Sequence, residues 1–106
     1  MTTGQDSKVD QVLEMQNRIS ARLDQLGYSG NAEAKGNIIH HLAEVAVMAR
    51  TLAQESVPTF LELPLDERDA LGELIVGIQY DLVEMKEAIE DMEPELIKLM
   101  NFLNPD

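Results

Sequence analysis

Apolar side chains recur at alternating spacings of four and three positions, without a miss, over residues 71–103. The ten residues of this repeat are Leu71, Ile75, Ile78, Leu82, Met85, Ile89, Met92, Leu96, Leu99 and Leu103. A seven-residue repeat of this kind is typical of a helix that packs along another helix, with its a and d positions in the seam. Ile75 begins the a positions and Leu71 the d positions. The pattern predicts a long third helix over about residues 66–103.

Pro94 lies inside this predicted helix, and the repeat keeps its phase across the proline. The chain is therefore expected to continue as one helix through Pro94. The proline falls at position f, away from the seam, where a kink would bend the helix with its convex side toward solvent. The alternative is a break, with Pro94 as the first residue of a new helix and Glu93 as its N-cap.

The first helix is predicted over about residues 6–26, where apolar residues follow the 3-4 spacing of one helical face. Gly27 stands where a C-terminal glycine would end this helix. A short turn follows, and Asn31 at its end is expected to cap the second helix.

The second helix is predicted over about residues 32–55. Its middle, residues 42–49, is apolar except for Glu44, so we expect packed neighbours on more than one side of it. A connector with two prolines is predicted over residues 56–65. Asp66 then provides the expected N-cap of the third helix.

These elements predict a single all-α domain over residues 1–106, folded as a three-helix bundle. At 1.5 Å per residue the third helix would be about 57 Å long and the second about 36 Å. Residues 91–103 would then have no neighbour in their own chain, although they are largely apolar. We therefore expect a seam with a second copy, giving a dimeric helical bundle. The predicted seam consists of Leu82, Met85, Ile89, Met92, Leu96, Leu99, Met100, Phe102 and Leu103.

The net charge of -12 is unevenly distributed: residues 58–106 hold thirteen acidic and three basic residues, a net of -10. Such a charge repels nucleic-acid phosphates and anionic lipid and attracts a basic protein partner. The chain has no cysteine, no apolar run of about 20 residues and no basic, apolar leader at its start. We therefore expect a soluble cytoplasmic protein that contacts neither membrane nor nucleic acid directly.

Four carboxylates, those of Glu84, Glu87, Glu90 and Asp91, form an acidic face on the third helix. Carboxylates at this spacing could bind Mg²⁺ or Mn²⁺ if a second acidic helix faced them. All-α nucleotide pyrophosphohydrolases pair E-x-x-E and E-x-x-D motifs in this way, but here the second helix offers only Glu44. The sequence favours a solvated acidic face, with Glu84, Glu87, Asp91 and Glu44 as the alternative metal ligands.

His40 and His41, with Glu44 four positions after His40, are expected as a surface group, because no further His and no Cys could complete a metal site. Motifs of P-loop, dinucleotide-binding and serine-hydrolase proteins are absent, and no cofactor is expected. The sequence thus favours a non-enzymatic interaction or regulatory protein that acts through the apolar seam and the acidic face. Two alternatives stay open: an acidic decoy that occupies the nucleic-acid site of a basic protein, and a metal-dependent nucleotide hydrolase.

Overall fold

The structure, a computed structural model, describes residues 4–28 and 32–105, with the backbone alone for residues 4–7. Every regular element in these ranges is a helix, and three long helices pack together, so the predicted all-α class is confirmed. The elements are α1 (Gly4–Gln25), α2 (Ala32–Thr51), a π-helical turn (Leu52–Ser56), α3 (Val57–Glu62) and α4 (Arg68–Leu103). None of these described helices combines the length and the hydrophobicity that crossing a bilayer requires.

The predicted glycine stop of α1 is confirmed. Gly27 has a φ of 74°, a conformation that costs glycine little because it has no Cβ. Its N–H donates to the Asp24 carbonyl (3.0 Å), and the Tyr28 N–H donates to the Leu23 carbonyl (3.1 Å). This is a Schellman motif, and its hydrophobic contact is present because Leu23 and Tyr28 are both buried. The predicted cap at Asn31 lies outside the described residues.

The helix that begins with α2 does not end at the first proline. Residues 32–62 are helical throughout, because the π-helical turn leads directly into α3. In that turn the Val57 N–H donates to the Leu52 carbonyl, five residues back. Pro58 is the second residue of α3 and, having no N–H, omits one bond of the continuous helical ladder directly after the π-helical turn. The sequence predicted a connector over residues 56–65, and the helical turns of α3 within it were missed.

α4 runs unbroken across Pro94, in agreement with the prediction from the heptad phase. Its start differs from the prediction. Asp66 is not the N-cap; Glu67 takes that position and makes no capping bond through its side chain. The Glu67 N–H instead donates to the Pro64 carbonyl (3.0 Å) in a turn, so that the first helical residue is Arg68.

α1 and α2 form an antiparallel pair. Near the turn between them, Lys35 Nζ lies 2.6 Å from Asp24 Oδ1. Toward the other end of the pair, Arg50 Nη1 donates to Gln11 Oε1 at 3.3 Å. Residues early in one helix thus meet residues late in the other, so the two helices form a hairpin.

α4 lies antiparallel to α2. At the start of α2, Asn37 Nδ2 donates to the Asp91 carbonyl at 3.4 Å. At its end, Met48 and Thr51 share a cleft with Asp81. The central helix α2 therefore has α1 and α4 as neighbours, which agrees with the prediction that it packs on more than one side.

The core is small for a protein of this mass. Its buried apolar residues, within the described part of the chain, are Leu23, Tyr28, Ala34, Ile38, Ala43, Val47, Ala88 and Met92. The radius of gyration is 17.1 Å, against about 13 Å for a compact domain of this length. The accessible surface is 7612 Å², whereas a compact monomer of this mass exposes about 5,900 Å². The molecule is therefore elongated and exposes more surface than a compact monomer of its mass.

Candidate interaction site

α4 divides its heptad repeat between the inside and the outside of the protein. All five d positions are at least partly buried, namely Leu71, Ile78, Met85, Met92 and Leu99. Four of the five a positions are 42–48% exposed, namely Ile75, Leu82, Ile89 and Leu103. We term Ile75, Leu82 and Ile89, which follow one another at seven-residue intervals, the α4 row. The predicted a/d seam is thus closed on its d side and open on its a side.

The a positions are exposed because α2 packs on the other side of the d positions, toward position g. Ala88, at position g, and Met92, at position d, are each 3% exposed and are the two buried residues of α4. A small side chain at g lets a neighbouring helix approach closely between the d and g positions. Since α2 covers d and g, the a positions are left at the edge of the contact.

The C-terminal third of α4 packs on its own chain, so the prediction that residues 91–103 lack an intrachain neighbour is wrong. Leu96 and Leu99 pack against the cluster at the α1–α2 turn, which consists of Leu23, Tyr28 and Ile38. The ring of Phe102 stands edge-on to that of Tyr28, with centroids 5.2 Å apart. Because α2, the π-helical turn and α3 together span residues 32–62, the antiparallel partner of α4 is longer than the sequence indicated.

Burial separates the predicted seam into two groups. Met92 is buried, and Met85, Leu96 and Leu99 are partly buried, so they are occupied within the chain. The exposed members are Leu82, Ile89, Met100, Phe102 and Leu103. A partner can therefore reach only the second group while the protein stays folded.

Further exposed apolar residues lie toward the start of α4 and were not part of the predicted seam. Val76, Tyr80 and Val83 are 48–65% exposed. Leu61 on α3 and Leu65 before α4 are exposed by 74% and 88%. Val76, Tyr80 and Val83 lie at heptad positions b and f, outside the a/d seam, so the repeat itself places them away from the predicted contact.

A second feature is an acidic cleft between α2 and α4, with a volume of about 230 Å³. The residues that line it are His41, Glu44, Glu84, Glu87, Ala88 and Asp91. The structure thus brings together all four carboxylates of the predicted metal alternative, whereas Glu90 lies outside the cleft. Among the described residues, however, no three His, Asp or Glu side chains are arranged to hold one metal ion.

His41 of α2 lies beside Asp91 of α4 in this cleft. Its Nδ1 lies 2.9 Å from the Asn37 carbonyl oxygen, and because a carbonyl only accepts, Nδ1 carries the proton. Its Nε2 lies 3.8 Å from Asp91 Oδ2. The predicted surface pair of His40 and Glu44 is also present, with Nε2 and Oε2 3.9 Å apart and both side chains solvent-accessible. The sequence did not reveal that His41 lies close to Asp91.

The acidic side of α4 perturbs a neighbouring phenol. Glu84 accepts a hydrogen bond from Tyr80, and its charge further raises the pKa of this tyrosine above the ordinary value of 10.0. Smaller contributions come from desolvation and from the charges of Glu87 and Asp81. This face of α4 therefore disfavours additional negative charge.

Comparison with protein-family models, with curated proteins and with solved structures gave no significant match.

Proposed function

We propose that the protein is a non-enzymatic interaction or regulatory protein of the cytoplasm that binds a helical partner through the α4 row. The observation that carries this proposal is the division of the heptad repeat. The d positions are covered within the chain, whereas Ile75, Leu82 and Ile89 are 45%, 48% and 42% exposed. Apolar side chains at seven-residue intervals along one helix are what a second helix recognises.

The exposed apolar surface of α4 extends beyond the row, because Val76 and Val83 are 65% and 48% exposed. Exposed apolar residues that lie together on one face mark an interaction surface. The simplest partner is a second copy, which would give the homodimer and the coiled-coil-like contact that the sequence favours.

The acidic residues of α4 would select a further partner by charge. Glu84, Glu87 and Asp91 line a common cleft with Glu44, and Glu90 adds to the negative charge nearby. A basic protein is the partner that such a surface attracts. The same observation supports the second candidate, an acidic decoy for the nucleic-acid site of a basic protein, for which binding should weaken steeply with salt.

A bend of α4 at Pro94 belongs to the same proposal. The proline cannot donate to the Glu90 carbonyl, so the hydrogen-bond ladder is interrupted there. Asn37 donates to the Asp91 carbonyl within that turn (3.4 Å), which supplies a bond from a neighbouring helix at the weak point. A bend convex toward solvent would keep the end of α4 against its own core.

The test is the substitution Leu82→Glu, with Asn101→Glu as the control. Both residues are exposed on α4, but Asn101 lies at position f, away from the row. We expect Leu82→Glu to lower the mass of the complex in sedimentation experiments, and Asn101→Glu to leave it unchanged. Far-UV circular dichroism checks that both variants stay helical. If Leu82→Glu changes neither self-association nor the binding of any partner, the α4 row is not an interface.

A further inference from the structure

We propose that the trough over α2, between α1 and α4, is a second docking site, which takes one basic amphipathic helix of a partner protein as a fourth helix of the bundle. We term this trough the α2 groove. The inference rests on the attraction of a basic partner proposed above and adds the place where that partner binds and the form of its segment. Positions c, f and g of α4 line the groove, whereas the α4 row occupies position a, on the far side of the d positions.

The groove exists because the three long helices form a layer. α2 contacts both α1 and α4, but among the described residues no Cα atom of α1 lies within 8 Å of one of α4. The molecule measures 55 × 34 × 19 Å along its principal axes, so it is much wider than it is thick. In a closed three-helix bundle each helix would contact both others. The space beside α2 that α1 and α4 leave open is therefore available to a further helix.

Two adjoining clefts, which share Glu44 and Glu84, form the groove. One is the acidic cleft of about 230 Å³. The other has a volume of about 270 Å³ and is lined by residues of all three long helices. Each is smaller than the roughly 300–1,000 Å³ of a typical small-molecule pocket. Together they run along residues 41–51 of α2 and 81–91 of α4, which is about 15 Å or nearly three helical turns. This shape suits a helix better than a compact ligand.

The floor of the second cleft is apolar. Val12 of α1 and Val47 and Met48 of α2 line it together. An amphipathic helix binds such a groove by placing the apolar side chains of one face into it. The groove therefore offers more than charge, because its floor selects an occupant with an apolar face.

Carboxylates surround this floor, and the chain itself leaves them without a strong cationic partner. They are Glu44, Asp81, Glu84, Glu87 and Asp91. In the part of the chain that the structure describes, no Lys or Arg forms an ion pair with any of the five. Lys8 lines one end of the groove, and His41 lies 3.8 Å from the Asp91 carboxylate at the other. Lysine or arginine side chains beside the apolar face of the incoming helix would complement this charge.

Two fluorescein-labelled peptides of about fourteen residues, composed of the same leucines, alanines and lysines, test the groove by fluorescence anisotropy. In the first the leucines follow the 3-4 spacing of one helical face, and in the second their order is scrambled. Because both carry the same charge, a difference in affinity reports the apolar face. We expect the amphipathic peptide to bind at least about tenfold more tightly. It should also become helical on binding, since a free peptide of this length is marginally helical in water.

Matched variants of the protein locate the bound peptide. Glu84→Gln and Glu90→Gln remove the same charge from the same helix, inside and outside the groove. We expect Glu84→Gln to raise the dissociation constant of the amphipathic peptide about threefold to fivefold, and Glu90→Gln to change it little. Met48→Gln removes apolar surface from the floor and should raise the constant about fivefold. Ile75→Gln, on the α4 row, should leave it unchanged.

The outcomes separate this inference from the function on which it rests. Equal binding of the two peptides, or equal effects of Glu84→Gln and Glu90→Gln, would overturn the α2 groove as the site, because net charge alone would then attract the partner. The proposed attraction of a basic protein would stand in that case. Weaker binding to Ile75→Gln but not to Met48→Gln would place the peptide on the α4 row and overturn the inference as well. If neither peptide binds, the groove and the attraction of a basic protein both fall.

Discussion

Replacing Ile38 with alanine removes the side chain on which three parts of the fold converge. Ile38 is fully buried and lies with Leu23 and Tyr28 in the cluster that the end of α4 covers. The substitution removes three carbon atoms, worth about 0.8 kcal/mol each in transfer free energy, and leaves a cavity that adds to the loss. We expect the free energy of unfolding to fall by about 3–4 kcal/mol, a large part of the 5–15 kcal/mol typical of a small domain.

Leu99→Ala addresses the same cluster from α4. Leu99 is partly buried against it, so the loss should be about half as large, roughly 1.5–2 kcal/mol. Because these contacts are within one chain, the loss should not depend on protein concentration. Ile75→Ala is the matched control: it lies on the same helix at 45% exposure and should cost less than about 1 kcal/mol in the monomer.

Urea denaturation followed by far-UV circular dichroism, repeated at two protein concentrations, measures all three changes. Ile38→Ala and Leu99→Ala should lower the midpoint without changing the slope. An unchanged midpoint for Leu99→Ala would show that the end of α4 does not pack on its own chain. A loss that appears only at concentrations where the protein self-associates would show that the end of α4 packs on another chain.

Two further predictions concern the backbone and the acidic face. Gly27→Ala should destabilise the protein by about 1–2 kcal/mol, because φ is 74° and a Cβ would meet nothing that offsets the strain. Gly36→Ala, in the interior of α2 with equal space around it, should instead stabilise by about 0.5–1 kcal/mol, and the same sign for both variants would contradict this account. In a Tyr28→Phe background, spectrophotometric titration should show Tyr80 ionising above its ordinary pKa of 10.0, because Glu84 favours the protonated phenol. Adding Glu84→Gln should lower that pKa, and identical titration curves would rule out Glu84 as the cause.

The sequence predicted the features that depend on local pattern. The heptad phase identified α4 as one helix across Pro94, and the position of Gly27 identified the end of α1. α3 was missed because Pro58 normally marks a helix boundary, and the preceding π-helical turn, which leaves no trace in the apolar periodicity, carries the helix past it. The seven additional helical residues, 56–62, lengthen the helix that runs antiparallel to α4. α4 is therefore shifted along this partner, and its C-terminal end reaches the α1–α2 turn. The prediction used the shorter partner and for that reason wrongly left residues 91–103 without a neighbour.

The candidate site was predictable in its residues but not in its orientation. The repeat identified Leu82 and Ile89 as seam residues, and the acidic face was evident from Glu84 and Asp91. Which side of the seam faces the protein depends on how α2 packs against α4, and the small residue Ala88 is buried where the two helices meet. An a/d repeat alone does not encode that choice, because a helix can turn either flank of its d positions toward its neighbour.

The distribution of charge gives the two kinds of partner opposite responses to salt. Two copies that approach each other carry a net charge of -12 each, so they repel at long range and attract only where the α4 rows meet. Added salt screens this repulsion within about 10 Å at 0.1 M and strengthens the apolar contact. We therefore expect the dimer dissociation constant to fall as salt rises, whereas the binding of a basic protein to the acidic cleft should weaken. Sedimentation equilibrium at low and high salt measures the first effect. A homodimer that dissociates on adding salt would mean that ion pairs rather than the α4 row hold the two copies together.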